Sequence, residues 1–265
     1  MLLVKSCMKE HNIKNGTIKL GSLHEYRNTE KKWLQDHEEG IFRFHLKFEG
    51  LVEIQLKFLN TLMGGAINLG GEEPIRYPGR TSAHFEVMDI VNQGEHTALL
   101  KDSIAVIERD SLNEFIFCVS QLEQANECID IFPNYNDFWA IPESKSPGFA
   151  VQLGRLLMEK IAEARKSGDH IIPENVPIDG SLGVIINTGL VKYMARETHI
   201  TKEGKSELED IMQKLGDMAF IKPPEPFQRE KEFRFSFQIT SNNRVVEPVK
   251  NHVILDAKTL QEFVL

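Results

Sequence analysis

The stretch from Ile41 to Phe58 constrains this chain more than any other. Phe42, Phe44, Leu46 and Phe48 alternate with Arg43, His45 and Lys47, and after Glu49-Gly50 the alternation resumes with Val52, Ile54, Leu56 and Phe58. A period of two sends successive side chains to opposite faces of a strand. Two such runs around a Gly-containing turn predict an antiparallel hairpin with Phe42, Phe44, Leu46 and Phe48 on its buried side. A sheet with one apolar face needs a second layer to cover it.

Two segments supply that layer. Over residues 155–166, Leu156, Leu157, Ile161 and Ala164 share one helical face. Ser206 with Glu209 has the form of a capping box and opens a helix carrying Leu208, Ile211, Met212 and Leu215. A first short strand is expected at 17–20, followed by a short helix that Ser22-Leu23-His24-Glu25 starts and that runs through Tyr26 and Arg27. An acidic turn spans 36–40. Further strands are expected at 84–91, 103–109, 114–120, 148–153, 182–191, 232–239 and 252–255. Strands outnumber helices and are mostly hairpin-like. That order predicts an α+β fold, a mixed and mostly antiparallel sheet with helices packed on it. With 265 residues, no internal repeat and no linker-like tract, the chain reads as a single α+β domain over 1–265.

Charge narrows the partners. Lys plus Arg number 31 against 39 Asp plus Glu, a formal net charge of -8. Such a balance repels polyphosphate and disfavours non-specific nucleic-acid binding. No apolar run approaches the roughly 20 residues of a membrane span, and the apolar start at Met1 to Val4 is too short for a secretory leader. Cys7, Cys118 and Cys128 are few and widely spaced, which fits a reducing, cytoplasmic setting and neither a zinc ribbon nor a redox pair.

Familiar enzyme signatures are absent. The glycine-rich run 64–71 lacks the Gly-Lys-Ser/Thr ending of a phosphate-binding P-loop. His24-Glu25 and His37-Glu38 lack the second histidine of a zinc protease, and the histidines do not cluster at ligand spacing, so no metal site is expected. Three segments are candidates for a site. Tyr26-Arg27, with Asp36, Glu39 and Gly40 downstream, either caps a helix and pairs with Asp36 or aims a guanidinium fork at phosphate or carboxylate. The segment from Phe117-Cys118-Val119-Ser120 to Tyr135-Asn136-Asp137-Phe138-Trp139, a strand ending in serine and then clustered aromatics, either walls a pocket for a planar ring or packs in the core. The last runs from Lys222 through Phe227 and Glu230 to Glu232-Phe233-Arg234-Phe235; its Glu232, Arg234 and Ser236 share one strand face. That face either is solvated and laced with cross-strand ion pairs or lines a cleft.

Taken together, these segments resemble a broad family of uncharacterised bacterial and phage proteins. The shared marks are a C-terminal Phe-x-x-Glu-x-Glu-(Phe/Tyr)-Arg strand preceded by a lysine, here Phe227, Glu230, Glu232, Arg234 and Lys222, and a central strand ending in Ser120. A segment centred on Trp139 and a Gly148-Phe149-Ala150-Val151 strand follow. The N-terminal Gly-x-Leu-x-x-Tyr-Arg with Asp36-His37-Glu38-Glu39-Gly40 is similar to one branch of that group. Ala140-Ile141-Pro142 stands where many relatives carry His-Tyr, so no imidazole is available there. The resemblance implies a setting in phage defence, and its Arg, Ser, Glu-x-Glu order is similar to that of ADP-ribosyltransferases. On that likeness NAD is the substrate, Arg27 anchors its phosphates, Ser120 supports the ribose side, Glu232 stabilises the ribosyl centre and Glu230 selects the acceptor. Tyr26, Trp139, Lys222 and Arg234 complete the binding set. Three functions follow as expectations: an NAD-using transferase or hydrolase, a non-catalytic module for a nucleotide or a protein target, or an interaction protein with a solvated charged strand.

Overall fold

A computed structural model of the chain describes residues 1–28, 36–202 and 205–265. The strands are β1 (Leu2–Cys7), β2 (Thr17–Ser22), β3 (Ile41–Gln55), β4 (Arg80–Val87), β5 (Ile90–Gln93), β6 (Thr97–Asp110), β7 (Phe115–Leu122), β8 (Asp137–Pro142), β9 (Leu182–Leu190), β10 (Lys192–Tyr193), β11 (Glu197–Ile200), β12 (Ile221–Lys222), β13 (Glu232–Ser241), β14 (Arg244–Val245) and β15 (His252–Asp256). Helices α1 (Leu23–Asn28), α2 (Leu56–Leu62), α3 (Cys128–Ile131), α4 (Ser146–Lys166) and α5 (Lys205–Lys214) accompany them. The class is α+β with antiparallel pairing dominant. No helix among the described residues is long and apolar enough to cross a membrane.

Where the sequence reads as one domain over 1–265, the chain divides into two compact units. One comprises Met1–Glu39, Asn113–Lys192 and Glu225–Leu265, the other Gly40–Leu112 and Tyr193–Pro224. Each unit has a sheet and an apolar core of its own. Three of the four crossings carry no Pro-, Gly- or Ser-rich tract, while the fourth, at Pro224 to Glu225, falls within Pro223-Pro224-Glu225-Pro226.

In the first unit the sheet runs β14-β13-β7-β1-β8, with β9 also on β13 and β2 joining β7 to β15. Phe233, Phe235 and Phe237 face the same side as their neighbours Phe115, Phe117 and Val119. That side is covered by α4, whose Phe149, Leu153, Leu157 and Ile161 recur every fourth residue and are buried. Phe149 lies 5.5 Å from Phe235 and 6.1 Å from Phe117 between ring centroids. The strand expected at 148–153 is the beginning of this helix, with Pro147 in its first turn, where a missing N–H costs nothing. Phe149-Ala150-Val151 looks extended only when read apart from the fourfold spacing that continues to Ile161.

The second unit has the order β11-β3-β6-β4, with β5 also on β6; β11 is parallel to β3 and the other pairs are antiparallel. The expected hairpin over 41–58 is instead a single strand, β3, that leads into α2. Its partner throughout is β6, and the register shifts between Phe48 and Leu51. At Glu49-Gly50 the chain makes a bulge, not a reversal. Gly50 adopts φ 68°, where a side chain would be strained, and its N–H donates to Asp102 Oδ1 at 2.8 Å across the bulge. Phe42, Phe44, Leu46, Phe48, Val52 and Ile54 are all buried, so the face assignment stands although the turn does not. In α5, Leu208, Ile211 and Met212 are buried, as is Leu215 just beyond it. The helix begins at Lys205, which places Ser206 inside the first turn.

A buried arginine staples this unit. Arg109 is fully buried and donates to Leu215 O (3.2 Å), Arg80 O (2.7 Å), Thr81 Oγ1 (2.6 Å) and Pro78 O (2.5 Å), with its guanidinium 4.7 Å from the Tyr77 ring centroid. Burial pulls its pKa down while Tyr77 and Asp110 act the other way. Lysine is a point donor and cannot reproduce the fork. Arg109→Lys is expected to orphan at least two of these acceptors and to cost about 3 kcal/mol, readable as a lowered urea midpoint.

Candidate functional site

Two groups of residues in the first unit bear on function. The first is the face of β13 opposite its phenylalanines. Sequence alternation places Glu232, Arg234 and Ser236 there, and the pairing with β7 sets them beside Ser120, Cys118 and Ile116. The face is neither solvated nor a cleft wall. Glu232 is 4% exposed and Arg234 and Ser236 are fully buried. Arg234 is clamped by two carboxylates. Its Nη1 and Nη2 donate to Glu39 Oε1 and Oε2 at 2.6 and 2.9 Å, and its Nε donates to Glu232 Oε1 at 2.5 Å. Burial alone would lower the Arg234 pKa, but Glu232 and Glu39 hold it well above the usual guanidinium range. On the next rung Ser236 Oγ donates to Glu114 Oε1 at 2.7 Å and Gln238 Nε2 to Glu114 Oε2 at 3.3 Å.

Most of the expected site residues gather around this layer. Arg27 Nε donates to the carbonyl of Glu39 at 2.6 Å, and the Asp36 N–H donates to the Tyr26 carbonyl at 3.0 Å. Arg27 therefore ties the acidic turn to α1, and that turn presents Glu39 to Arg234. Ser120 Oγ donates to the Glu230 carbonyl at 2.7 Å, which fixes the start of β13. Cys118 lies on the same face. Burial first, then the charge of Glu232, pushes its thiol pKa far up. Lys222 belongs to the second unit, on β12, where its carbonyl accepts from the Met194 N–H.

The second group lines a cavity of about 280 Å³. It exists because two strands share one edge of β7 and then part. β1 pairs with Ser120 to Leu122 and β2 with Phe115 and Ile116, both on the edge away from β13. Among the described residues, Phe117 to Val119 have no strand neighbour on that edge. Backbone groups freed in this way need other partners, and Lys5 Nζ donates to the Cys118 carbonyl at 2.8 Å. The ammonium also sits 5.0 Å from the Phe117 centroid. The floor of this fork is Phe117 stacked on Trp139 at 5.9 Å and 18°. Trp139 is 4% exposed and makes core contacts with Phe149 as well. Trp139 therefore packs in the core, as one reading had it, and its ring also lines the cavity.

Tyr26 closes the other wall. Its ring packs over Gly21, where an added Cβ would come within 3.0 Å of Tyr26 Cε2 and 2.5 Å of Glu25 Oε2. Burial, with Cys118, Glu25 and Glu232 nearby, raises its phenol well above the ordinary range. At the mouth, Glu25 is bonded to Lys19 and lies 3.3 Å from His252 Nδ1. Cys7, another lining residue, has its thiol pushed up to about 11, by burial first and by Asp137 second. Of the site residues read from sequence, Tyr26 and Trp139 line this cavity. Phe117 was read only as the start of the segment that could wall a pocket, Gly21 only as part of the N-terminal motif, and Lys5 was not read as a site residue. The Met1–Val4 run carried a signal for β1, but nothing local marks where two strands part from a third.

Compared with known proteins, the chain matches no protein-family model, no curated protein and no solved structure.

Proposed function

We propose that this chain is a non-catalytic binding module for a small molecule of mononucleotide size or less, held in the fork cavity of the first unit. One observation carries the reading: the sheet opens at Phe117 to Val119 around a space lined by Tyr26, Trp139, Phe117 and an ammonium, Lys5. Few convergent polar groups over an aromatic floor are what small-ligand sites use. The volume stands just below the range of about 300–1,000 Å³ that holds drug-sized ligands, which suits one ring system better than a whole dinucleotide. An NAD-using transferase or hydrolase would need a carboxylate free to face a ribosyl carbon. Glu232 is buried and bonded to Arg234, which argues for a structural role. The family resemblance adds a setting in bacteria–phage conflict to this reading.

Calorimetric titration of the full chain with a panel of nucleobases, nucleosides, mononucleotides and aromatic acids tests it, alongside nicotinamide release from NAD. Binding by at least one class is expected, weakened several-fold in Gly21→Ala because the new methyl displaces Tyr26 and Glu25. No nicotinamide should be released. Release above the blank that disappears in Glu232→Gln would overturn the reading.

A further inference from the structure

We propose that the fork cavity takes a small planar ring bearing a single carboxylate, with the carboxylate on Lys5 and the ring against the Phe117–Trp139 floor. This rests on the fork cavity being a binding site, and it adds the charge and shape of the occupant. The argument begins with charge. Among the lining residues two are lysines and one is a carboxylate, Glu25. Glu25 is engaged by Lys19 and His252. Lys5 has no carboxylate within 4.0 Å among the described residues. Its recorded partners are the Cys118 carbonyl and the face of Phe117. Asp137, the acid whose charge reaches Cys7 beside it, accepts from Asn12 Nδ2 through one oxygen and from the Phe138 N–H through the other. An ammonium carries three donors. One is used on the carbonyl, and a half-buried cation with donors to spare is stabilised most by a charge-assisted bond to an anion.

Valence and shape follow from the same residues. With the lining's His11 counted as neutral, Lys5 and Lys19 against Glu25 leave a single excess positive charge, which matches a monoanion better than a phosphate monoester. Lys5 on β1 lies directly opposite Trp139 on β8, so the ammonium and the indole belong to one rung of the sheet. An anion on Lys5 that carries a flat substituent meets the stacked Phe117–Trp139 pair within the length of one ring. Tyr26 bounds the space from the other wall.

The test uses matched pairs that differ in charge alone: benzoate against benzamide, and nicotinate against nicotinamide, titrated into the full chain by calorimetry at low and moderate salt. The acid of each pair is expected to bind at least tenfold tighter than its amide, with a preference that shrinks as salt rises. Lys5→Met should level each pair, and Lys5→Arg should keep the preference. Should Lys5→Met fail to fold, the wild-type pairs and Lys5→Arg still decide the matter. Amides that bind as tightly as acids in the wild type would overturn this inference and leave the binding-module reading in place. Inorganic phosphate or mononucleotides binding tightly while the aromatic acids do not would also overturn it. Failure of every ring compound and nucleotide to bind would remove both.

Discussion

Replacing Arg234 by leucine is expected to destabilise the protein by about 3–5 kcal/mol, because it removes the guanidinium that two buried carboxylates both bond. Glu39 and Glu232 are 2% and 4% exposed, and both bond Arg234. Neither can regain water without unpacking the layer, and two like charges held close repel. The loss should appear as a lowered urea midpoint with aggregation on mild heating. A second variant separates charge from shape. Replacing Glu39, Arg234 and Glu232 together by apolar residues of similar size removes the buried charges, and buried ion groups exchanged as a set are often neutral or stabilising. The triple variant is therefore expected to recover most of the lost stability. A triple variant as unstable as Arg234→Leu would show that the layer's hydrogen-bond geometry matters more than its charge. An Arg234→Leu protein as stable as the wild type would mean that the clamp contributes nothing.

Phe44→Ala is expected to cost a further and independent amount, about 3–5 kcal/mol, through the cavity it leaves in the second unit. Phe44 is fully buried, with its ring centroid 4.3 Å from that of Phe42. It projects from β3, which is held on one edge by β6 and on the other by β11, so the neighbouring backbone has little room to collapse into the space. Chemical denaturation with a fluorescence or circular-dichroism readout checks the figure. Phe44→Leu, which fills most of the void, should recover the larger share of the loss. A cost below about 1 kcal/mol for Phe44→Ala would mean that the ring contributes little to the core, against the area it removes from water.

Several elements were legible in the residues themselves. The alternation in 41–58 named the buried face of β3 correctly, and the alternation in 232–239 named both faces of β13. Ser22 accepts from the Glu25 N–H at 3.3 Å, as the local pattern of a short helix start requires, and Leu182–Leu190 and His252–Asp256 are strands close to the expected bounds. These features depend on neighbours in sequence. What was misread depends on partners far away. Glu49-Gly50 suits a turn and a bulge equally. Only β6, which offers Asp102 to the Gly50 N–H, makes it a bulge.

The same division runs through the candidate site. By itself the sequence determined that Glu232, Arg234 and Ser236 share a strand face, that Tyr26 and Arg27 close a short helix, and that the chain builds an α+β fold rich in antiparallel pairs, since periodicity and capping are local properties of the chain. It said nothing about what covers that face. Glu39, 195 positions away from Arg234 along the chain, turns an apparently solvated or catalytic row into a buried clamp, because the charge balance of an interior site is set by whichever segments the fold folds over it. The fork cavity is likewise a product of topology. β1 and β2 each pair as strands should, and the space between them arises because they pair with opposite ends of one edge of β7 while their other edges are taken by β8 and β15. No residue encodes a gap of that kind; it follows from register and strand order, which only the assembled sheet decides.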